Sequence, residues 1–114
     1  MQGKRLDRVN QLIKEEVSNL LQRELKDPRL GFVTVTEVET SKDLRSAKVF
    51  VSVLGDDRQW ESSLAALASA RGFVRNWLRQ NLDLRVTPEI DFRADHSMEH
   101  AARIQNLLKK VQDS

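Results

Sequence analysis

The segment LRSAKVFVSVL, residues 44–54, alternates in character almost residue by residue. Ala47, Val49, Val51 and Val53 fall on one side of an extended chain, and Ser46, Lys48, Phe50 and Ser52 on the other. A strand of this kind is buried on one face and largely polar on the other. The preceding FVTVTEVET, residues 32–40, is rich in β-branched residues, and TSKD turns the chain between the two. Together they predict an antiparallel hairpin. Its apolar face must be covered from one side by other elements, which points to helices.

The rest of the chain supplies those helices. Leu6, Val9, Ile13, Val17, Leu20 and Leu21 recur at helical spacing, predicting a helix over residues 4–26 that KDPRLG ends. GDD, residues 55–57, offers a turn and a helix N-cap. A long helical stretch follows to about Asn81, with Trp60, Leu64, Leu67, Val74 and Leu78 as its buried stripe. RVTPEIDFRAD, residues 85–95, reads as a third strand with Val86, Ile90 and Phe92 inward, and Pro88 suggests an edge position or a bulge. A final helix over 97–110 is expected to pack through Met98, Ala101, Ala102, Ile104, Leu107, Leu108 and Val111. The order αββαβα predicts an α+β fold: a three-stranded sheet with helices packed on one face. At 114 residues the chain forms one domain, residues 1–114.

Composition removes several function classes. There is no cysteine, hence no disulfide and no thiolate metal site, which fits a reducing cytoplasm. The charged start MQGKRLDRVNQLIKEE contains no signal-peptide core, and no run is long enough to span a membrane. Net charge is only +2, so any nucleic-acid affinity must come from clustering. Charge is indeed uneven: Arg71, Arg75, Arg79 and Arg85 face Asp83 alone, whereas residues 86–100 carry Glu89, Asp91, Asp95 and Glu99 against Arg93.

One enzyme pattern needs an answer. HSMEH, residues 96–100, has the H-x-x-E-H spacing of a zinc peptidase and holds both histidines of the chain. A third protein ligand must come from elsewhere, and after His100 only Asp113 offers a carboxylate. The stretch reads better as a helix start, with Asp95 or Ser97 as cap and Glu99 in the first turn. No G-x-x-x-x-G-K, G-x-G-x-x-G or G-x-S-x-G occurs. Glu89 and Asp91 share a strand face with Arg93 and read as a solvated edge. No catalytic residue, metal or cofactor is expected.

The most informative local feature is ASARGFVRNWLRQ, residues 68–80. Gly72 lies inside a helical pattern, where glycine costs about 1 kcal/mol relative to alanine. With Ser69 and Ala70 before it, it predicts a kink that opens a fresh helix N-terminus, suited to phosphate. Arg71, Arg75 and Arg79 follow at i, i+4 spacing as one ridge. On spacing alone the ridge reads equally as a solvated face, and Gly72 as a residue that lets helices pack closely. Arg45, Lys48 and Arg85 are companion cations near the strands. Trp60, Phe73 and Trp77 read as packing residues rather than base-stacking ones.

A hairpin, a broken helix and a third strand, preceded by an extra helix, resemble a type II K-homology domain over residues 4–95. Such domains clamp a nucleic-acid backbone with a GXXG loop, and this chain has Ala70-Arg71-Gly72 at that place. KDPRLGFVTVTEVETSKDLRSAKVFVSVLG, residues 26–55, is similar to the central stretch of ribosome-binding factor A. Ala70-Arg71-Gly72 matches that family's A-x-G kink. Asp95, Ser97, Glu99, Arg103, Ile104, Leu107 and Leu108 match its closing pattern. The resemblance covers residues 5 to about 108. It implies a K-homology-like fold and binding to the small (30S) ribosomal subunit and its 16S rRNA during late maturation and processing, with a role in cold adaptation. It also implies a cytoplasmic monomer with no catalysis and no small-molecule substrate. The expected RNA contacts are Ser69, Ala70, Arg71, Gly72, Arg75, Arg79, Arg45, Lys48 and Arg85. A protein-interaction module without RNA contact is the alternative. Because the sequence ends soon after its last helix, a basic tail of the kind some relatives carry is expected to be short or missing.

Overall fold

The alternating segment 46–54 is the middle strand of a three-stranded sheet. The structure, a computed structural model, describes residues 2–113. In chain order it places α1 (Gln2–Arg23), β1 (Phe32–Thr40), β2 (Ser46–Leu54), α2 (Asp57–Ser69), α3 (Arg71–Asn81), β3 (Glu89–Ala94) and α4 (Ser97–Asp113). β1 pairs antiparallel with β2, as the hairpin pattern predicts. β3 pairs parallel with the other edge of β2, a connection that needs a crossover, and α2 with α3 supply it.

One core lies between the sheet and the first three helices. Ile13, Val17 and Leu20 of α1 and Leu67, Val74 and Leu78 of α2 and α3 meet Ala47, Val49 and Val51 of β2. Each fully buried aliphatic side chain contributes roughly 1.5–3 kcal/mol. β1 keeps Val33, Val35 and Val38 on this face through a bulge between Val35 and Glu37. The extra residue shifts the alternation by one position, so the V-x-V-x-x-V spacing was the visible sign of the bulge.

Two turns carry local chemistry. Asp56 caps α2 in a full capping box: its carboxylate accepts from the Gln59 N–H, and the Gln59 side-chain oxygen accepts from the Asp56 N–H. Gly55 is required beside it, at φ +145°, because a Cβ there would collide with the Gln59 side chain. In the hairpin turn the Leu44 N–H closes onto the Ser41 carbonyl at 2.9 Å. Leu44 then takes φ 63°, the left-handed region, which costs a non-glycine residue about 1–2 kcal/mol.

Several expectations are corrected. α1 stops at Arg23 rather than at residue 26. The third strand begins at Glu89, not 85. Pro88 offers no N–H, and pairing starts when the Glu89 N–H donates to the Arg45 carbonyl. Pro88 is therefore a buried residue just before an edge strand, and Val86 is 38% exposed in the loop rather than inward. The helix break falls at Ala70 (φ −89°, ψ 0°), two residues before Gly72. That backbone conformation is open to alanine, so no glycine is needed to make it. Phe73 is 50% exposed and is not a packing residue, whereas Trp60 is buried and Trp77 half-buried.

The largest correction concerns α4, which does not pack on the sheet. Every side chain from His100 to Val111 is exposed, Leu107 to 62%. The radius of gyration is 16.3 Å, against about 13 Å for a compact chain of this length. What anchors α4 is its first turn. Asp95 accepts from the Ser97 N–H at 2.9 Å and from the Thr36 hydroxyl, in the β1 bulge, at 2.7 Å. The hydrogen bond from Thr36, followed by that from Ser97, holds the Asp95 carboxyl below the usual carboxylate range. The stabilisation is therefore complete above about pH 4 and is lost as pH falls through the depressed folded value. In thermal unfolding, wild type should exceed Asp95→Asn at pH 6, with the gap closing below pH 4. A gap independent of pH would contradict this.

Candidate nucleic-acid interface

α3 starts without a side-chain cap, at Arg71 and Gly72, on the solvent side of the break. Gly72 has no positive φ, and a Cβ added to it would meet nothing within 4 Å. It serves neither turn geometry nor close packing inside this chain. The space in front of it is open.

That space is the head of a groove between α3 and the start of β3. A hollow of about 340 Å³ is lined by Arg71, Gly72, Arg75, Glu89 and Ile90. It continues into one of about 580 Å³ lined by Arg45, Ser46, Arg75, Val86, Thr87 and Glu89. Arg75 and Glu89 belong to both. The Arg75 Nε and Nη2 donate to the Thr87 carbonyl at 3.3 and 3.2 Å, and the Arg71 Nε donates to the Ala68 carbonyl at 3.2 Å. Each guanidinium is steadied along one edge and keeps further N–H donors for a partner. Glu89 is the one carboxylate on these walls, and it moderates the positive field.

The expected contacts separate into groups. Arg71, Gly72 and Arg75 come together with Arg45, and Arg85 lies beyond them past Val86. Ser69 is exposed at the end of α2, while Ala70 turns into the core. Arg79 continues the ridge in the last turn of α3 but does not line the groove. Lys48 is on the opposite face of the sheet, between Glu39 and Asp91 in the pairing register. Phe73 is on the other flank of α3, toward Trp77, whose Nε1 donates to Glu16 of α1 at 2.8 Å. Ser46, Thr87 and Ile90 are groove residues that sequence reasoning missed. Taking residues 85–88 as strand concealed the loop that forms one wall.

HSMEH is engaged elsewhere. Glu99 accepts from the Trp60 Nε1 at 2.8 Å and lies 3.2 Å from the His96 Nδ1, and the His96 ring sits 4.1 Å from that of Trp60. The glutamate thus ties α4 to α2. Among the described residues no three histidine, aspartate or glutamate side chains gather as a metal ion would need.

An uncapped helix start, a bare glycine and guanidinium groups in one trough suit a phosphodiester backbone. The sequence model of ribosome-binding factor A matches residues 5–108. The chain belongs to the ribosome-binding factor A family. It is 48% identical to the ribosome-binding factor A of Halothermothrix orenii, over 99% of this chain and 93% of that one. The fold is similar to that of the crystal structure of ribosome-binding factor A from Thermus thermophilus, with TM-score 0.70, 27% identity, and coverage of 78% of this chain and 94% of that one. It is also similar to a homology model of the Thermus thermophilus factor as fitted into a cryo-EM map of a 30S–RbfA complex, with TM-score 0.64, 28% identity, and coverage of 76% of this chain and 91% of that one. The family thus supports the K-homology-like reading of the αββααβ body.

Proposed function

We propose that this protein binds the small (30S) ribosomal subunit as a non-catalytic assembly factor and holds a segment of 16S rRNA in the groove between α3 and β3. It acts in late maturation and rRNA processing, as a cytoplasmic monomer, and contributes to growth in the cold. The observation that carries the RNA contact is Gly72. A helical glycine with nothing before it, between two arginines of a groove, is explained by a backbone that approaches from outside. The relative seen with a 30S particle supports the choice of partner. In this reading Arg71, Arg75 and Arg45 hold phosphates, and the α3 N-terminus adds its dipole.

The test is co-sedimentation with immature and mature small subunits across a range of salt. Arg71→Ala with Arg75→Ala should lower affinity by about 100-fold or more, since two contacts are lost and hydrogen bonds to charged groups each contribute roughly 1.5–3 kcal/mol. The slope of log affinity against log salt should flatten by about 1.4–1.8 for two lost phosphate contacts. Immature subunits should bind more tightly than mature ones. Unchanged affinity and slope would remove the RNA assignment. Binding insensitive to salt would instead favour a protein-interaction module, for which the exposed Ile104, Leu107 and Leu108 of α4 offer a surface.

A further inference from the structure

A third hollow, of about 250 Å³, opens from the groove on the side away from Gly72. Val86 lines both, so the two adjoin. Arg5 from the start of α1, Lys42 from the hairpin turn and Arg85 from the loop before β3 stand around it, each exposed. None of the three makes an ion pair among the described residues. Asp43 also lines the hollow: its Oδ1 accepts from the Ser41 hydroxyl at 2.6 Å and the Arg45 N–H at 3.1 Å, and its charge moderates the field of the three cations. Between the cations lies an apolar wall of Leu6, Leu44 and Val86.

Leu44 is the telling residue. Among the described residues it is the one non-glycine with positive φ, at a hairpin position where glycine is the unstrained choice. Strained residues of this kind cluster at binding sites. What leucine adds over glycine here is an apolar side chain at the wall of the hollow.

We infer that this hollow is a nucleotide subsite. One unstacked base of a single-stranded RNA segment rests against Leu6, Leu44 and Val86, while Arg5, Lys42 and Arg85 hold the phosphates on either side of it. Unpaired bases splayed from a strand are the usual objects of RNA recognition, with apolar or planar side chains against the base and cations along the backbone. The inference rests on the RNA reading of the adjoining groove, and it extends the RNA path across the sheet end to α1.

Four variants decide it, each measured for binding to small subunits and to a short single-stranded RNA of mixed sequence, with melting temperature recorded. Combined Arg5→Ala, Lys42→Ala and Arg85→Ala should weaken both by about 10-fold or more and flatten the salt slope by about 2. Leu44→Gly relieves the backbone strain, so it should melt no lower than Lys42→Ala. It should nevertheless bind RNA about three- to tenfold more weakly, with the salt slope unchanged because no charge is lost. If the triple variant binds like wild type while Arg71→Ala with Arg75→Ala does not, the subsite is wrong and the groove stands. If neither set matters, both readings fall. If the triple variant loses small-subunit binding but keeps the short RNA, the hollow meets an acidic protein surface and the inference is overturned. Full RNA binding by Leu44→Gly would overturn the base contact.

Discussion

Replacing Gly72 with glutamate should leave the protein folded and slightly more stable, while lowering its affinity for small subunits at least about 100-fold. Both halves follow from one position. The Cβ of residue 72 points into open space, so the new side chain displaces nothing in the free protein. A helical glycine is less favourable than other residues by up to about 1 kcal/mol. A carboxylate in the first turn of α3 gains a further 0.3–1 kcal/mol or so from the helix dipole. The melting temperature should therefore rise by a few degrees, on the scale of about 4–8 °C per kcal/mol for a domain of this size. The bound state reverses the sign. The same carboxylate occupies the place a phosphate would take between Arg71 and Arg75, blocks its approach and repels it. A loss of about 2.7 kcal/mol corresponds to 100-fold. Gly72→Ala should fall between, with the gain in stability but a smaller loss in binding. Thermal unfolding and co-sedimentation of the same preparations check both halves. Wild-type binding by Gly72→Glu would show that the open space is simply surface.

The second large effect is on stability, and it comes as a contrast between two leucines. Leu78 of α3 is fully buried, and Leu107 of α4 is 62% exposed. Leu78→Ala removes a side chain from the contact between α3 and the sheet and leaves a cavity, a loss of about 2–5 kcal/mol. Against a total stability of about 5–15 kcal/mol for ordinary domains, that is a large share. Leu107→Ala removes as many atoms but opens no cavity, and should stay within about 0.5 kcal/mol of wild type. Chemical denaturation of the two variants measures the difference. Similar losses in both would mean that α4 packs on the body in solution.

The helical stripes of α1 and the first part of the α2–α3 stretch were readable because each has a face that repeats at the right period. β2 was readable for the same reason, at period two. β3 was misjudged at its start because Val86 and Thr87 have strand-like side chains, while the proline after them delays pairing to Glu89. The arginine ridge was readable as a ridge. Its division into residues inside and outside the groove was not, because Arg75 reaches the Thr87 carbonyl and Arg79 lies a turn further along α3. The alternation of β2 already put Lys48 on the polar strand face, and the pairing register keeps it there between Glu39 and Asp91, outside the groove. α4 was the main failure. Its apolar spacing is that of a packing helix, yet the inner sheet face is already filled by α1, α2 and α3. The outer face carries Glu39, Lys48 and Asp91 together with Phe32, Phe50 and Leu54, and α4 leaves its own apolar residues exposed rather than covering it.

Periodicity along the chain therefore established an α+β fold with a one-sided sheet, an interrupted helix and a cluster of arginines, since each depends on neighbours within a turn or a strand. Local sequence also carried the motifs by which the family is recognised. The tertiary structure decided which side of the interrupted helix faces a groove, and that Gly72 opens onto empty space. It also brought Arg5, Lys42, Leu44 and Arg85 around one hollow. These residues lie up to 80 positions apart in the sequence and meet only because the parallel crossover returns β3 beside the hairpin. Contacts of that range depend on the packing of whole elements, which no local pattern records.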